Sequence, residues 1–384
     1  MISASTTPLL SIVIPTKNRY ETLIPTLNAL LDNIVGSSYE IVVQDNSDNP
    51  TDAKAYLKQR PDGRIRYTHQ AGFLSIVENT EAALTRAQGE YITFIGDDDL
   101  VDPNILYFVQ SFLDRDIDAV IYPPAYYWWP SVRFATPTRY HQPGAFWYPP
   151  STSTAELHIN TKLELNQVTS QGAVALFDLP RVYHGIVRRR VLEAIKTSGG
   201  HYVNGASPDM ALAIATAFEV NSHIKIDIPL TVYGASKNSG GGWTAAQIHF
   251  GKIADQLHLP QYTKDHWSDR LPPIWSEHTI YPQTAMEVMR FMGRPDTLDY
   301  GAFYASMLVN EPHLRRYVLP FIGRFIFDRP QRVVHFAAVI FRKIIGRLRR
   351  ALRTRVTGIP FDLWIFKTPD ACMKHLAERG RIPR

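Results

Sequence analysis

The chain has 384 residues, 45% hydrophobic and 20% charged, a balance that leaves room for a sizeable core and excludes a disordered or fibrous protein. Its single cysteine, Cys372, excludes an intrachain disulfide and fits a reducing compartment. A formal net charge of +5 suits phosphate-rich ligands, nucleic acid or an anionic membrane surface, and does not choose among them.

Residues 1–10 lack the basic and apolar regions of a signal peptide, and no uncharged apolar run nears the ~20 residues that span a bilayer. A cytoplasmic protein is expected, with the option of lying peripherally on the inner face of a membrane. Residues 9–15 (LLSIVIP) read as a buried strand ended by a turn. Leu23, Leu27, Leu30, Leu31 and Ile34 recur at helical spacing, so residues 20–34 read as a helix that tolerates Pro25 near its start. Strands follow at 40–43 and 65–68, a helix at 76–87, a strand at 91–95, a helix from Asp102-Pro103 and a strand from 119. Residues 123–150 are rich in aromatics and proline and read as an excursion from the sheet. Trp128, Trp129, Trp147 and Tyr148 there are expected to pack rather than to stack on a ligand. Residues 187–195 and 209–218 read as helices, 224–233 as a strand containing Pro229, and 234–242 as a flexible loop. Beyond about residue 244 the pattern is helical, with no further sheet signal.

Strands alternating with helices give an α/β protein with a mostly parallel sheet flanked by helices, and ligands of such sheets sit beyond the strand C-termini. The polar clusters at 16–19, 44–48 and 97–99 all fall at such ends, so they should converge on one crevice. Three consecutive carboxylates, Asp97, Asp98 and Asp99, need a compensating cation, and hard oxygen ligands favour Mg²⁺ or Mn²⁺. Without the buried strand before it, the run would read as a solvated acidic turn capping the next helix. Asp209 lies in the first turn of a helix begun by Ser207 and Pro208. It either points into the crevice or only favours the helix dipole.

SIVIPTKNR at 11–19, EIVVQDNSD at 40–48 and GEYITFIGDDDL at 89–100 resemble family 2 glycosyltransferases of the GT-A fold, over about residues 9–240. The resemblance implies an inverting transfer from a nucleotide-diphosphate sugar to a saccharide or lipid-linked acceptor, with Mg²⁺ or Mn²⁺, in surface polysaccharide or glycolipid synthesis. It makes residues 1–245 the nucleotide-sugar-binding catalytic domain and leaves 246–384 as a helical C-terminal region. On the donor side it implies Pro15, Thr16, Asn18 and Arg19 in the pocket loop, Asp45 at the base, and Gly72, Asn79, Asp97 and Asp98. The DXD metal motif falls on Asp98 and Asp99, with Gly96 where many members carry the first acid. Asp209 matches the general base that takes the acceptor's proton, and His184 and Gly185 match residues lining the acceptor pocket. Arg188, Arg189, Arg190 and Lys237 are candidates for phosphate, and His249 for a further metal ligand.

Residues 314–355 hold twelve Lys and Arg against one acid, Asp328, so the rest of the chain is net acidic. Val333, Phe336, Ala337, Ile340, Phe341, Ile344, Leu348 and Leu352 recur there at helical spacing, which reads as a basic amphipathic helix for a membrane surface. A sugar-nucleotide nucleotidyltransferase is disfavoured, because the loop PTKNR lacks the glycines such enzymes carry after the first strand. A non-catalytic nucleotide-sugar-binding module is disfavoured by Asp209 beside the acidic run, and no nucleic-acid motif accompanies the basic segment.

Overall fold

The structure is a computed structural model that describes residues 7–248, 250–329, 331–357 and 361–379. The chain starts with β1 (Leu10–Thr16), α1 (Tyr20–Asn33), β2 (Tyr39–Asp45), α2 (Thr51–Gln59), β3 (Ile65–His69), α3 (Ile76–Arg86) and β4 (Tyr91–Phe94). It continues through β5 (Leu100–Val101), α4 (Ile105–Asp114), β6 (Ala119–Ile121), β7 (Ala125–Trp128), β8 (Ala145–Tyr148), β9 (Ser153–His158), α5 (Thr161–Ser170) and β10 (Ile186–Arg188). Next come α6 (Arg189–Gly199), α7 (Pro208–Glu219), β11 (His223–Asp227), β12 (Thr231–Ala235) and α8 (Gly240–Ala245). The last part holds β13 (Gly251–Lys252), α9 (Gln261–Asp265), β14 (Ile274–Trp275), α10 (Glu277–Phe291), α11 (Tyr300–Asn310), α12 (Arg315–Asp328), α13 (Arg332–Thr357), β15 (Asp362–Ile365) and α14 (Pro369–Arg379).

The expected α/β architecture with a helical C-terminal region is present. The main sheet has the order β3-β2-β1-β4-β10-β6-β11-β9. Its first four strands are parallel, so the ends of β1, β2 and β4 share one edge. β1 and β2 carry fully buried Ile12, Val13, Ile14, Ile41, Val42 and Val43, the near-continuous apolar run of strands covered on both faces. α3 starts at a capping box in which Ser75 and Glu78 satisfy each other's backbone N–H groups. Such a cap contributes about 1 kcal/mol.

Three differences from the sequence reading have local causes. Val187 and Arg188 belong to β10, antiparallel to β4, and the helix starts only at Arg189. The stretch 224–233 is two strands in different sheets, because Pro229 has no N–H to offer a ladder. Residues 240–245 form α8 rather than loop, capped by the Ser239 hydroxyl. Sheet structure also continues past residue 244. A second sheet runs β15-β8-β7-β12-β5, with Leu363 opposite Trp147 and Trp364 opposite Phe146. α14 then packs on α1, where Asp370 accepts from Asn33 at 3.0 Å and Cys372 is fully buried in the first core. A separate core joins α7 to α10 through Met210, Ile214, Ala285 and Val288. The packing is therefore continuous across residues 245–246.

Candidate active site

A cavity of about 1480 Å³ opens at the C-terminal edge of the parallel strands. Its wall includes Pro15 and Thr16 at the end of β1, Lys17, Asn18 and Arg19 after it, Asn46 and Asp48 after β2, Asn79 on α3, and Gly96, Asp97 and Asp98 after β4. Ser207, Pro208 and Asp209 enter from α7, and Trp275, Glu277, Ile280 and Tyr281 from the α10 region. The loops expected to meet do meet.

The acidic corner divides its labour. Asp97 accepts from the Thr16 hydroxyl and from Arg19 Nε at 2.9 Å, and the same guanidinium reaches Asp98 Oδ1 at 3.5 Å. Asp98 Oδ2 also takes the Ser236 backbone N–H at 2.9 Å. Gly234 must be glycine, since a Cβ there would lie 1.8 Å from the Asp98 carbonyl oxygen, which Trp129 Nε1 pins at 2.7 Å. Burial raises the Asp97 carboxyl to about 6 against the pull of Arg19, and raises Asp98 for the same reason. Burial works the other way on Arg19, but Asp97 and Asp98 outweigh it and hold its proton more tightly.

Asp99 turns away from the cavity. One oxygen meets His184 Nε2 at 2.9 Å and the Gly96 N–H, and the other takes the Gly234 N–H. Burial pushes its carboxyl up, yet His184 and the two backbone donors prevail and hold it below the ordinary range. His184 Nδ1 lies 2.7 Å from the Thr231 hydroxyl, and its ring stacks on Tyr233 with centroids 3.4 Å apart. His184 and Gly185 therefore serve the interior beneath the acidic corner. Neither is among the cavity-lining residues, where Tyr183 stands instead.

The donor loops are tied to one another. Asn46 N–H and Asn79 Nδ2 both donate to the Thr16 carbonyl, at 2.9 and 3.2 Å. Asn18, at φ 55°, exchanges hydrogen bonds with Asp48, and Gly72, at φ 87°, offers its carbonyl to Asn46. Asp45 is fully buried, accepts from Tyr20, Tyr67 and the Ser47 N–H, and is not among the cavity-lining residues. The wall at that point is Asn46 and Asp48. Lys17, which the sequence reading did not single out, stands 4.8 Å over the Phe73 ring and 3.2 Å from Asn46 Oδ1.

Asp209 is held by hydrogen bonds from Ser207 and Tyr281. The turn before α7 is clamped to α10. Ser207 N–H donates to Thr284 at 3.0 Å, and a Cβ on Gly205 would come within 2.7 Å of the Thr284 methyl.

Other candidates lie elsewhere. Arg188 and Arg190 pair with Glu90, Asp116 and Asp118, and Arg189 donates to the carbonyls of Ala87 and Gly89. All three sit at the opposite edge, because β10 runs antiparallel to β4 and Arg188 is level with Tyr91. The wall of the cavity takes Asn238 and Ser239 from the loop of Lys237. Trp129, Trp147 and Tyr148 are buried as packing, whereas Trp128 reaches the cavity wall. His249 lies outside the described residues.

The donor set fits a divalent cation only as a shared site. Among the described residues no group of three or more His, Cys, Asp or Glu could hold a metal. Asp97 and Asp98 together carry one more negative charge than Arg19 neutralises, and both are shifted toward protonation. Two hard carboxylates short of positive charge suit Mg²⁺ or Mn²⁺, which commonly take one or two protein carboxylates and complete their shell from phosphates and water.

Residues 11–172 match the model of glycosyl transferase family 2. WcaA of Escherichia coli (strain K12), named as a colanic acid biosynthesis glycosyl transferase, is 35% identical over 26% of this chain and 36% of its own length. Glycosyltransferase GlyG of Streptococcus pneumoniae serotype 4 is 30% identical over 29% of this chain and 38% of its own. The chain thus spans little more than a third of these curated relatives. Residues 1–349 of S. aureus TarS, solved in complex with UDP-GlcNAc, are 14% identical, with a TM-score of 0.48, over 98% of this chain and 93% of that one.

Proposed function

From the match of residues 11–172 to glycosyl transferase family 2, we propose that the chain moves a sugar, with inversion, from a nucleotide-diphosphate donor to a saccharide or lipid-linked acceptor. Polysaccharide or glycolipid assembly is the setting. The observation that carries this reading is one cavity wall holding the Asp97–Asp98 pair and Asp209. Asp209 takes the proton of an acceptor hydroxyl as that oxygen bonds the anomeric carbon. The bond from that carbon to the diphosphate breaks, and the nucleoside diphosphate leaves with the electron pair. Attack opposite the leaving group inverts the carbon. Lys17 and Arg19 supply positive charge to the diphosphate side, where charge develops. Asp98, with Asp97, would hold Mg²⁺ or Mn²⁺, which supplies Lewis-acid stabilisation of diphosphate oxygens when bound. Pro15, Thr16, Asn18 and Asn79 shape the donor pocket.

The test measures nucleoside diphosphate release from UDP-, GDP- and dTDP-sugars with Mg²⁺, Mn²⁺ or chelator. Release that needs the metal is expected. Full activity in chelator removes the ion from the reading, and no release from any donor rejects transfer.

α13 supports peripheral membrane binding as part of the same reading. No helix among the described residues is long and apolar enough to cross a membrane. Phe336 and Val339 of α13 pack inward, but Val334 (78% exposed), Phe341 (64%), Leu348 (58%) and Leu352 (60%) form an outward stripe beside Arg342 and Arg349. Each basic residue near an anionic leaflet contributes roughly 1 kcal/mol. Replacing Phe341 and Leu348 together by Glu should reduce co-sedimentation with phosphatidylglycerol vesicles. Unchanged sedimentation rejects this face.

A further inference from the structure

α10 meets the cavity with residues one turn apart. Glu277 opens its first turn, and Tyr281 follows four positions later on the same face. Both line the cavity, and Tyr281 donates to Asp209. Tyr183, in the electrostatic neighbourhood of Asp209, lines the same wall. The face is rigidly placed. Thr284, one turn further on, bonds Ser207, and Ala285 and Val288 join the core of α7. Glu277 opens to the cavity. The protein around it, and then the charges of Asp209 and Glu311, move its carboxyl toward protonation.

We propose that α10 builds the acceptor subsite, with Glu277 binding a hydroxyl of a saccharide acceptor beside the one that attacks, and Tyr281 positioning Asp209. This rests on the reading of Asp209 as base. The chemistry names the ligand class. A carboxyl group open to the cavity accepts hydrogen bonds through two oxygens, which matches neighbouring sugar hydroxyls. Tyr183 adds aromatic surface to the same wall, which suits the apolar side of a sugar ring. A lipid tail would leave Glu277 and Asp209 against hydrocarbon, a costly burial of polar groups.

The experiment uses the full chain, with methyl glycosides of glucose, galactose and N-acetylglucosamine as probes. Their binding is followed by saturation-transfer NMR in the presence of a nucleoside diphosphate. In Glu277→Gln, glycoside binding should weaken tenfold or more, with nucleoside diphosphate binding unchanged. Undiminished glycoside binding overturns the role of Glu277. A wild-type chain that binds no glycoside overturns the saccharide subsite. Failure of the transferase reading shows separately, as no binding of UDP, GDP, CDP or dTDP to wild type. Tyr281→Phe should keep both ligands bound but lower turnover about tenfold. Equal turnover, or loss of binding in place of turnover, overturns the positioning role.

Discussion

The two sides of the cavity are built differently. The proposed donor side comes from three loops at adjacent parallel strand ends, tied to one another by bonds such as Asn46 to Thr16 and Asn18 to Asp48. The proposed acceptor side comes from two helices, α7 and α10, joined by Asp209–Tyr281 and Ser207–Thr284. The donor side carries buried charge that the protein leaves incompletely neutralised. The acceptor side carries carboxyls near the solvent of the cavity. In the proposed reading one side holds phosphate and a cation, and the other holds and deprotonates a hydroxyl.

The largest effect should come from separating the two chemically. Asp209→Asn should lower transfer by about 10²–10⁴-fold, the range of a lost general base, with nucleotide binding intact. Isothermal titration with a nucleoside diphosphate beside a release assay checks both. Weakened nucleotide binding would mean that Asp209 belongs to the donor side and would dissolve the contrast.

The donor side was legible in the sequence because apolar strands broken by polar clusters encode both the strands and their ends. The acceptor side was only half legible. Asp209 announced itself through Ser207 and Pro208, but Glu277 and Tyr281 read as ordinary helix residues and enter only through tertiary packing. The same holds for Asp99. Its partner His184 lies 85 positions away, and nothing in a run of three acids tells which one turns inward. Asp45 is ambiguous for a related reason, since an Asp after a strand serves a turn as readily as a ligand.

Asp99 sharpens the comparison next. Asp99→Ala leaves His184 and two backbone N–H groups buried without their acceptor, which should cost about 3–5 kcal/mol in urea unfolding. Unchanged stability with lost Mn²⁺ binding would instead return Asp99 to the donor side as a ligand.

The smallest effect concerns Asp102, which belongs to neither side and measures what burial alone costs a carboxylate here. It is 4% exposed, accepts from Asn104 N–H at 2.8 Å, and burial raises its carboxyl from 3.8 to about 6. Between those values the folded state keeps a proton that the unfolded state has released, so stability falls as pH rises from about 4 to 6. Asp102→Asn should flatten that slope and add roughly 1–3 kcal/mol at pH 8. An unaltered pH profile of the unfolding midpoint would show that the Asp102 charge is compensated.

The pairing of β15 with β8, and the packing of α14 on α1, bear on how the molecule is made. The first helix and a central hairpin wait for partners supplied more than two hundred residues later. At ~5–20 residues per second of synthesis, that wait is roughly 10–40 s on the ribosome. During it, Phe146 and Trp147 lack the Trp364 and Phe361 rings that pack on them in the finished chain, and apolar surface left open in this way is prone to aggregate. Deleting the C-terminal segment to study the basic helix would remove that cover for good, so surface substitutions are the cleaner tool.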